Sequence, residues 1–194
     1  MIAHAPMGYL IGRGVDRWGR RDGARRASVV AAGVVGGLIP DLDMLRFYLV
    51  DGERVLHHSY ITHTPFFWGL VAVLLWAGVR LGWVRGAPAA AFVVGTFSHL
   101  VLDTPLAGIM WAYPLNTTMT EWVEVTPVFP PHARVDILGI PMEGWVKNFL
   151  VHWTFRLELF ITACAVVVWS RTRPVLAPVA VAVPCESPAD PEPP

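Results

Sequence analysis

Four stretches of the sequence are apolar along most of their length and carry few charged side chains: residues 27–39, 66–79, 87–102 and 149–169. Inside a hydrocarbon layer, every backbone N–H and C=O group needs a partner within its own segment, and an α-helix provides one. A helix of about 20 residues crosses a bilayer. The sequence therefore predicts an all-α fold, a polytopic membrane helical bundle with about four membrane helices, a short N-terminal helix and a long ordered loop.

The overall composition indicates the same class of protein. Hydrophobic residues make up 54% of the chain and charged residues only 15%, whereas soluble domains keep roughly a quarter of their residues charged. Because so few charges cannot cover a soluble surface, we expect the lipid bilayer to be the main partner of this chain. The formal net charge is zero, which gives no electrostatic reason to expect nucleic acid as a partner.

The chain divides into one membrane-embedded helical domain at residues 1–173 and a Pro-rich tail at 174–194, which we expect to be disordered. Within the domain, the sequence predicts an arginine-rich loop at 13–26 and a long non-cytoplasmic loop at 104–148. Pro105 is expected to end the helix before the long loop. The N-terminus lacks the pattern of a removable signal peptide, so we expect the first apolar segment to be retained.

The arginines predict the orientation of the chain in the membrane, because short cytoplasmic loops carry an excess of Lys and Arg. The arginine-rich loop, the turn with Arg80 and Arg85, and the end with Arg171 and Arg173 can all face the cytoplasm if four helices cross. We therefore predict a multi-pass protein of the cell (inner) membrane. The opposite, non-cytoplasmic face then carries the long loop and four candidate ligands: Asp41, His58, His63 and Asp103.

Two pairs of residues at the ends of apolar stretches are candidate metal ligands. His99 and Asp103 are four residues apart, so on a helix they share one face and can point at the same ion. An unpaired ionisable group at such a position is costly, and a metal ion would satisfy it. Asp41 and Asp43 follow Pro40, and in an extended backbone both carboxylates would face one side.

Further histidines supply the other candidate ligands. His58 and His63 do not align on a regular helix, but a turn leading into Thr64-Pro65, an expected helix cap, could bring them together. His4 joins them if the N-terminal stretch begins on the same face of the membrane. Imidazole and carboxylate ligands together favour a divalent transition metal, zinc first and manganese or iron as alternatives, over calcium.

Each of these residues also has an ordinary structural interpretation. Asp41 could cap a helix, His99 could be a hydrogen-bonded core histidine, and His58 could be a polar loop residue. The metal site is the stronger interpretation because three separate segments bring His or Asp to one predicted membrane face, and a bundle has no structural need for them there. The sequence assigns no role to three other histidines: His57, His132 and His152.

The motifs around the candidate ligands are GLIPDLD at 37–43, HSYITHT at 58–64 and GTFSHLVLD at 95–103. They resemble, in the same order, the Pro-Asp-x-Asp, His-Arg-Gly-x-Thr-His-Ser and Ser-His-x-x-x-Asp segments of the YdjM-like family of membrane-bound, metal-dependent hydrolases. That family also has an N-terminal histidine, here His4, and a later glycine and Tyr-Pro. Gly108 and Tyr113-Pro114 occupy those last positions. The resemblance covers about residues 1–115.

The resemblance implies metal-binding roles for seven residues: His4, Asp41, Asp43, His58, His63, His99 and Asp103. Ser59 and Tyr60 replace the Arg-Gly of the family pattern, so a phosphate contact from that arginine is not expected in the same form. The family is similar, in its order of histidines and aspartates, to zinc-dependent phospholipases C, which implies hydrolysis of a phosphoester. Those enzymes complete a trinuclear centre with His-x-x-x-Glu, but here His152 is followed by Arg156.

Three functional hypotheses follow. The first is a membrane hydrolase in which a bound metal activates a water molecule and Asp43 acts as the base, with a phosphoester or another amphiphile as substrate. The second is a non-catalytic membrane protein in which the metal holds the helices together or senses ion supply; such a site would have a closed coordination sphere. An ion transporter ranks last, because few polar residues besides Arg156 and Glu158 continue through the predicted helices.

Overall fold

The computed structural model describes residues 2–19, 23–51, 57–122, 134–137 and 140–172. In these residues the α-helices are α1 (His4–Gly19), α2 (Gly23–Leu38), α3 (Met44–Leu49), α4 (Pro65–Arg80), α5 (Gly86–Ala107), α6 (Gly144–Val151) and α7 (Trp153–Thr172). Short 3-10 helices lie at Ile39–Asp43, His57–Ser59 and Ile61–His63. Strands β1 (Arg134–Ile137) and β2 (Ile140–Glu143) form an antiparallel hairpin between α5 and α6. The predicted tail at 174–194 and His132 lie outside the described residues.

Three helical segments are long and apolar enough to cross a membrane: Arg26–Leu49, with 24 residues, and Gly86–Pro105 and Trp153–Thr172, with 20 residues each. The fourth apolar helix, α4, has 16 residues and is shorter than the roughly 20 that span a bilayer. Strand structure in the described part of the chain is limited to the one hairpin. The predicted all-α membrane helical bundle is therefore confirmed.

Helices α1, α2 and α5 form the centre of the bundle, and glycines let their backbones touch. A Cβ atom on Gly33 of α2 would lie 2.4 Å from the backbone oxygen of Gly8 in α1. One on Gly95 of α5 would lie 2.6 Å from the backbone oxygen of Gly33. Because a real Cβ atom cannot come so close to backbone, only glycine permits this packing. The contacts hold the start of α1 beside the ends of α2 and α5.

Pro40 alters the helical path without ending it. The sequence predicted an extended backbone at Asp41 and Asp43, but both lie in the 3-10 helix between α2 and α3. Pro40 is an early residue of this helix, where its fixed φ suits the helical conformation. The backbone N–H that proline lacks would have no partner within the helix at this position. The extended-backbone prediction is therefore wrong, although both carboxylates still reach the same group of histidines.

Pro105 does not end α5, contrary to the prediction. The helix passes through Pro105 and ends at Ala107, where Gly108 follows with a φ of 71°. Proline has a helical φ and removes a single backbone hydrogen bond, so the last turn can continue past it. The stop is instead at a glycine whose positive φ leaves the helical region.

The basic loop predicted at 13–26 is mostly helical. Helix α1 continues to Gly19 and α2 begins at Gly23. The packing on α2 explains the extension, because a Cβ atom on Gly12 would lie 2.6 Å from the Cα atom of Val30. Tertiary packing therefore extends α1 well beyond the short apolar stretch that the sequence indicated.

Candidate metal centre

Histidines and aspartates from five segments meet at one end of the bundle. Helices α1 and α4 begin here, whereas α2 and α5 run in the opposite direction and end here. The structure brings together all seven predicted ligands, and His57 joins them. The eight residues of the centre are His4, Asp41, Asp43, His57, His58, His63, His99 and Asp103.

Four of these residues form an inner cluster: His4, Asp41, His99 and Asp103. Each offers one ligand atom, and the four atoms lie within 4.8 Å of one another. The Nε2 atoms of His4 and His99 are each 3.0 Å from a carboxylate oxygen of Asp103. Nε2 of His99 is also 3.5 Å from Oδ1 of Asp41. Both histidines and Asp103 are fully buried, whereas the Asp41 side chain is 28% exposed.

Three histidines form an outer cluster, His57, His58 and His63, whose ligand atoms also lie within 4.8 Å of one another. The two clusters are continuous, because Nε2 of His63 is 3.4 Å from Nε2 of His99. His58 approaches the inner cluster too, with its Nε2 atom 3.5 Å from Oδ2 of Asp103. The arrangement can hold one ion, or two ions that share ligands.

Asp43 stands behind the outer cluster and contacts two of its histidines. Its Oδ2 atom is 2.7 Å from Nδ1 of His63 and accepts a hydrogen bond from the hydroxyl of Thr62. Its Oδ1 atom is 3.0 Å from Nδ1 of His57. A carboxylate on the far nitrogen of a histidine fixes the ring orientation, and metal sites commonly use this arrangement.

The hydrogen bonds fix which nitrogen of two rings faces the centre. Nδ1 of His99 donates to the backbone oxygen of Gly37 at 2.8 Å, because a carbonyl can only accept. Its Nε2 atom therefore directs a lone pair towards Asp41 and Asp103 when the ring is neutral. The contact between Nδ1 of His63 and Asp43 has the same effect on His63. Both rings are thus oriented as metal ligands are.

Several buried atoms of the centre lie close together without hydrogen-bond geometry. Within the described residues, Nε2 of His4 and both carboxylate oxygens of Asp103 are buried and make no hydrogen bond. The same holds for Nδ1 of His57 and Oδ1 of Asp43. Nitrogen and oxygen lie within ion-pair distance, but the angles do not direct a proton at the oxygen, so these contacts are not hydrogen bonds. A buried carboxylate without a partner is costly, so this donor set fits a cation.

Two histidines of the outer cluster, both outside the candidate membrane spans, have shifted pKa values. Burial lowers the pKa of His57, but the nearby carboxylates of Asp41 and Asp43 outweigh it and raise the pKa to about 9. Burial lowers the pKa of His58, and the contact with Asp103 does not compensate. His58 is therefore neutral and ready to bind a metal near pH 7, whereas His57 must first lose a proton.

The turn before α4 positions the outer cluster. Thr64 caps α4, as predicted, because its hydroxyl accepts from the backbone N–H of Phe67 at 3.3 Å. The indole N–H of Trp68 donates to the backbone oxygen of Thr62 at 2.6 Å. These bonds hold the short 3-10 helix that carries His63 against the first turn of α4.

Helix α7 supports the centre from the other side of α1. The buried carboxylate of Glu158 accepts hydrogen bonds from the backbone N–H groups of Ile2, at 2.7 Å, and Ala3, at 3.2 Å. These bonds hold the two residues that immediately precede His4, the first residue of α1.

His152 does not join the centre. It separates α6 from α7, and its Nδ1 atom lies 2.8 Å from the hydroxyl of Thr154. His57 is the site residue that the sequence left without a role. The position of His57 next to His58 could have indicated that it belongs to the site. The sequence of a turn does not, however, show which way its side chains face.

The sequence matches the family model described as YdjM inner membrane protein over residues 1–183. The matched range contains all eight residues of the centre. No curated protein and no solved structure matches the chain.

Proposed function

The chain belongs to the YdjM inner membrane protein family, and from that premise and the geometry of its buried centre we propose that it is a membrane-bound, metal-dependent hydrolase. The observation that carries the proposal is Asp103, whose two carboxylate oxygens are buried, approached by four histidines and without a hydrogen bond in the described residues. A carboxylate in that position is stable beside a cation and costly without one.

The proposed ligands are divided between the two clusters. His4, Asp41, His99 and Asp103 bind in the inner cluster, and His58 and His63 bind from the outer one. Asp43 belongs to the same group through its contact with His63. Mixed imidazole and carboxylate donors favour zinc, with manganese or iron as alternatives.

A metal in this centre would lower the pKa of a bound water and so supply the nucleophile for hydrolysis. Asp43 is the proposed base. Its Oδ2 atom is occupied by Thr62 and His63, whereas its Oδ1 atom faces His57 and makes no hydrogen bond with any described residue. Since Asp43 also lines an open pocket, its carboxylate can take a proton from a water molecule there.

The proposed substrate is a phosphoester or another amphiphile, as the family resemblance implies. The arginine distribution favours a multi-pass arrangement in which the centre faces the non-cytoplasmic side. A substrate would then reach the centre at the headgroup level of that leaflet.

A structural or sensing metal site is the second candidate function. The complete burial of His4, His99 and Asp103 favours it, because structural metal sites are closed whereas catalytic ones keep an open position. The pocket beside Asp43 favours the hydrolase instead.

The first experiment is elemental analysis of the detergent-purified protein. We expect near-stoichiometric metal in the wild type and in His152→Ala, a matched histidine outside the centre, and loss of the metal in His99→Ala and Asp103→Ala. Absence of metal in folded wild type after reconstitution would exclude both candidate functions.

Asp43→Asn then separates the two candidates. For a hydrolase, we expect the variant to retain metal, with affinity reduced by about tenfold, and to lose hydrolysis of a chromogenic phosphodiester. If wild type binds metal but hydrolyses no phosphodiester or lipid phosphoester, the structural or sensing role is the better account.

A further inference from the structure

A pocket of about 350 Å³ opens beside the outer cluster, and Asp43 forms part of its wall. Arg46, Ser59, Tyr60, Thr62 and Tyr113 also line it. Its volume is within the range of about 300–1,000 Å³ that small-molecule sites occupy. We propose that this pocket binds the anionic head of an amphiphilic phosphoester, with Arg46 as the residue that recognises the phosphate. The proposal rests on the proposed function, because it places the substrate beside the proposed base.

Arg46 is held at the pocket but remains reachable. Its Nε atom is 3.2 Å from Oδ2 of Asp51, and its guanidinium carbon lies 5.4 Å from the centre of the Tyr60 ring. The hydroxyl of Tyr60 donates to Asp51 as well, so the three side chains brace one another. The Arg46 side chain is nevertheless 66% exposed. A guanidinium has five N–H groups, of which the Asp51 contact engages one, and its planar fork suits a phosphate.

Arg46 is the one cationic side chain among the described residues that line the pocket. It comes from α3, whereas Ser59, Tyr60 and Thr62 come from the turns before α4. An anion in the pocket would therefore meet its positive charge at Arg46.

The surroundings of Arg46 favour an amphiphile over a free anion. Leu42, Leu45 and Leu49 precede and follow Arg46 at helical spacing, and each is more than half exposed. They belong to the candidate membrane span Arg26–Leu49, so their exposed side chains suit lipid rather than water. A lipid tail can stay along these leucines while its phosphate reaches Arg46.

The carboxylates of Asp43 and Asp51 oppose anion binding. Arg46 alone does not outweigh them, so the charge of a bound metal ion must contribute. We therefore expect phosphate binding in this pocket to depend on both Arg46 and the bound metal.

The test measures binding of dodecyl phosphate to the full-length protein in a neutral maltoside detergent, before and after loading with zinc. Arg46→Gln is the test variant and Arg80→Gln the matched control, because Arg80 also stacks on an aromatic ring, that of Trp76 at 5.7 Å, but at the far end of α4. We expect zinc-loaded wild type and Arg80→Gln to bind dodecyl phosphate with equal affinity. Arg46→Gln should bind it at least about tenfold more weakly. Arg46→Lys should be intermediate, because it keeps the charge and loses the fork.

The outcomes separate this inference from the proposed function. Equal binding by zinc-loaded wild type and Arg46→Gln would overturn the role of Arg46 and leave the metal centre intact. Inorganic phosphate binding as tightly as dodecyl phosphate would overturn the amphiphile and identify a free anion. A wild type that retains no metal would overturn the proposed function, and this inference with it.

Discussion

His57 is surrounded by ionisable side chains. Its two ring nitrogens lie 3.4 Å from Oδ1 of Asp41 and 3.0 Å from Oδ1 of Asp43. The rings of His58 and His63 are each centred 4.3 Å from its own. The two carboxylates dominate, because they raise the pKa of His57 to about 9 in spite of its burial. In the metal-free protein, His57 therefore carries a proton at neutral pH and places a positive charge between the two carboxylates.

This proton links the stability of the metal-free protein to pH. The pKa of His57 is about 9 in the folded state and about 6.5 in an unfolded chain, so the folded state binds the proton more tightly. The resulting stabilisation, about 3 kcal/mol at most, is complete below roughly pH 6.5 and is lost as the pH rises through about 9. The midpoint temperature of thermal unfolding of the metal-free protein should decrease as the pH rises from about 6.5 to about 9. This decrease should be smaller in His57→Gln. His152→Gln should follow the wild type; an equal slope in His57→Gln would contradict the assignment.

Most of the residues that gather in the candidate centre could be predicted from sequence, but their arrangement could not. His99 and Asp103 share a face because regular helix geometry places residues four apart together, which holds for any helix. Asp41 and Asp43 reach the centre through a 3-10 helix rather than an extended chain, and that depends on how Pro40 packs. His57 and His58 face different carboxylates, which only the dihedral angles of their turn determine.

At the scale of elements, α7 is tied to the centre by one side chain. Glu158 lies inside the candidate span Trp153–Thr172, is 2% exposed, and accepts from two backbone N–H groups at the start of α1. A negative charge at a helix N-terminus is favoured both by these free N–H groups and by the helix dipole. Because His4 is the first residue of α1, Glu158 fixes where its ring can lie.

Removal of the Glu158 carboxylate should weaken metal binding, although Glu158 is not one of the eight residues of the centre. We expect Glu158→Ala to lower the free energy of unfolding by about 1–3 kcal/mol and the metal affinity by about tenfold. Glu158→Gln should lose less, because its amide oxygen can still accept. Competition with a chromophoric chelator measures the affinity, and Ser170→Ala near the other end of α7 is the control. A destabilised Glu158→Ala with unchanged affinity would limit Glu158 to a structural role.

The helices themselves were largely predictable, because apolar runs in a membrane protein have few alternatives to helix. The boundaries were less so. α5 passes Pro105 and α1 continues to Gly19, since packing against neighbouring helices outweighs the local signal at each end. The bond between Glu158 and α1 joins residues more than 150 positions apart, and no local pattern encodes it.

At the scale of the whole molecule, α5 separates two chemically different ends. It has 22 residues and is about 33 Å long, close to the hydrocarbon thickness of a bilayer. Arg80 and Arg85 flank the turn before it, and the candidate metal centre lies at its other end. If the arginines face the cytoplasm, the centre faces outward.

Cysteine labelling in intact cells tests this orientation. In a background with Cys164 and Cys185 replaced by alanine, Trp83→Cys and Leu115→Cys place single thiols at exposed positions on either side of α5. We expect a membrane-impermeant maleimide to label Leu115→Cys in intact cells, and Trp83→Cys only after permeabilisation. The reverse pattern would place the centre on the cytoplasmic side.

The glycine contacts have a consequence in genetic terms. A glycine codon can change only to a residue with a larger side chain, and the backbone oxygens that face Gly33 and Gly95 leave no room for even one carbon. Every missense substitution of Gly33 or Gly95 should therefore disturb the helix packing, although neither residue belongs to the candidate metal centre. A mutational map of this chain would consequently mark the helix contacts as intolerant alongside the ligands, and intolerance alone would not distinguish an ion-binding residue from a residue that keeps two backbones in register.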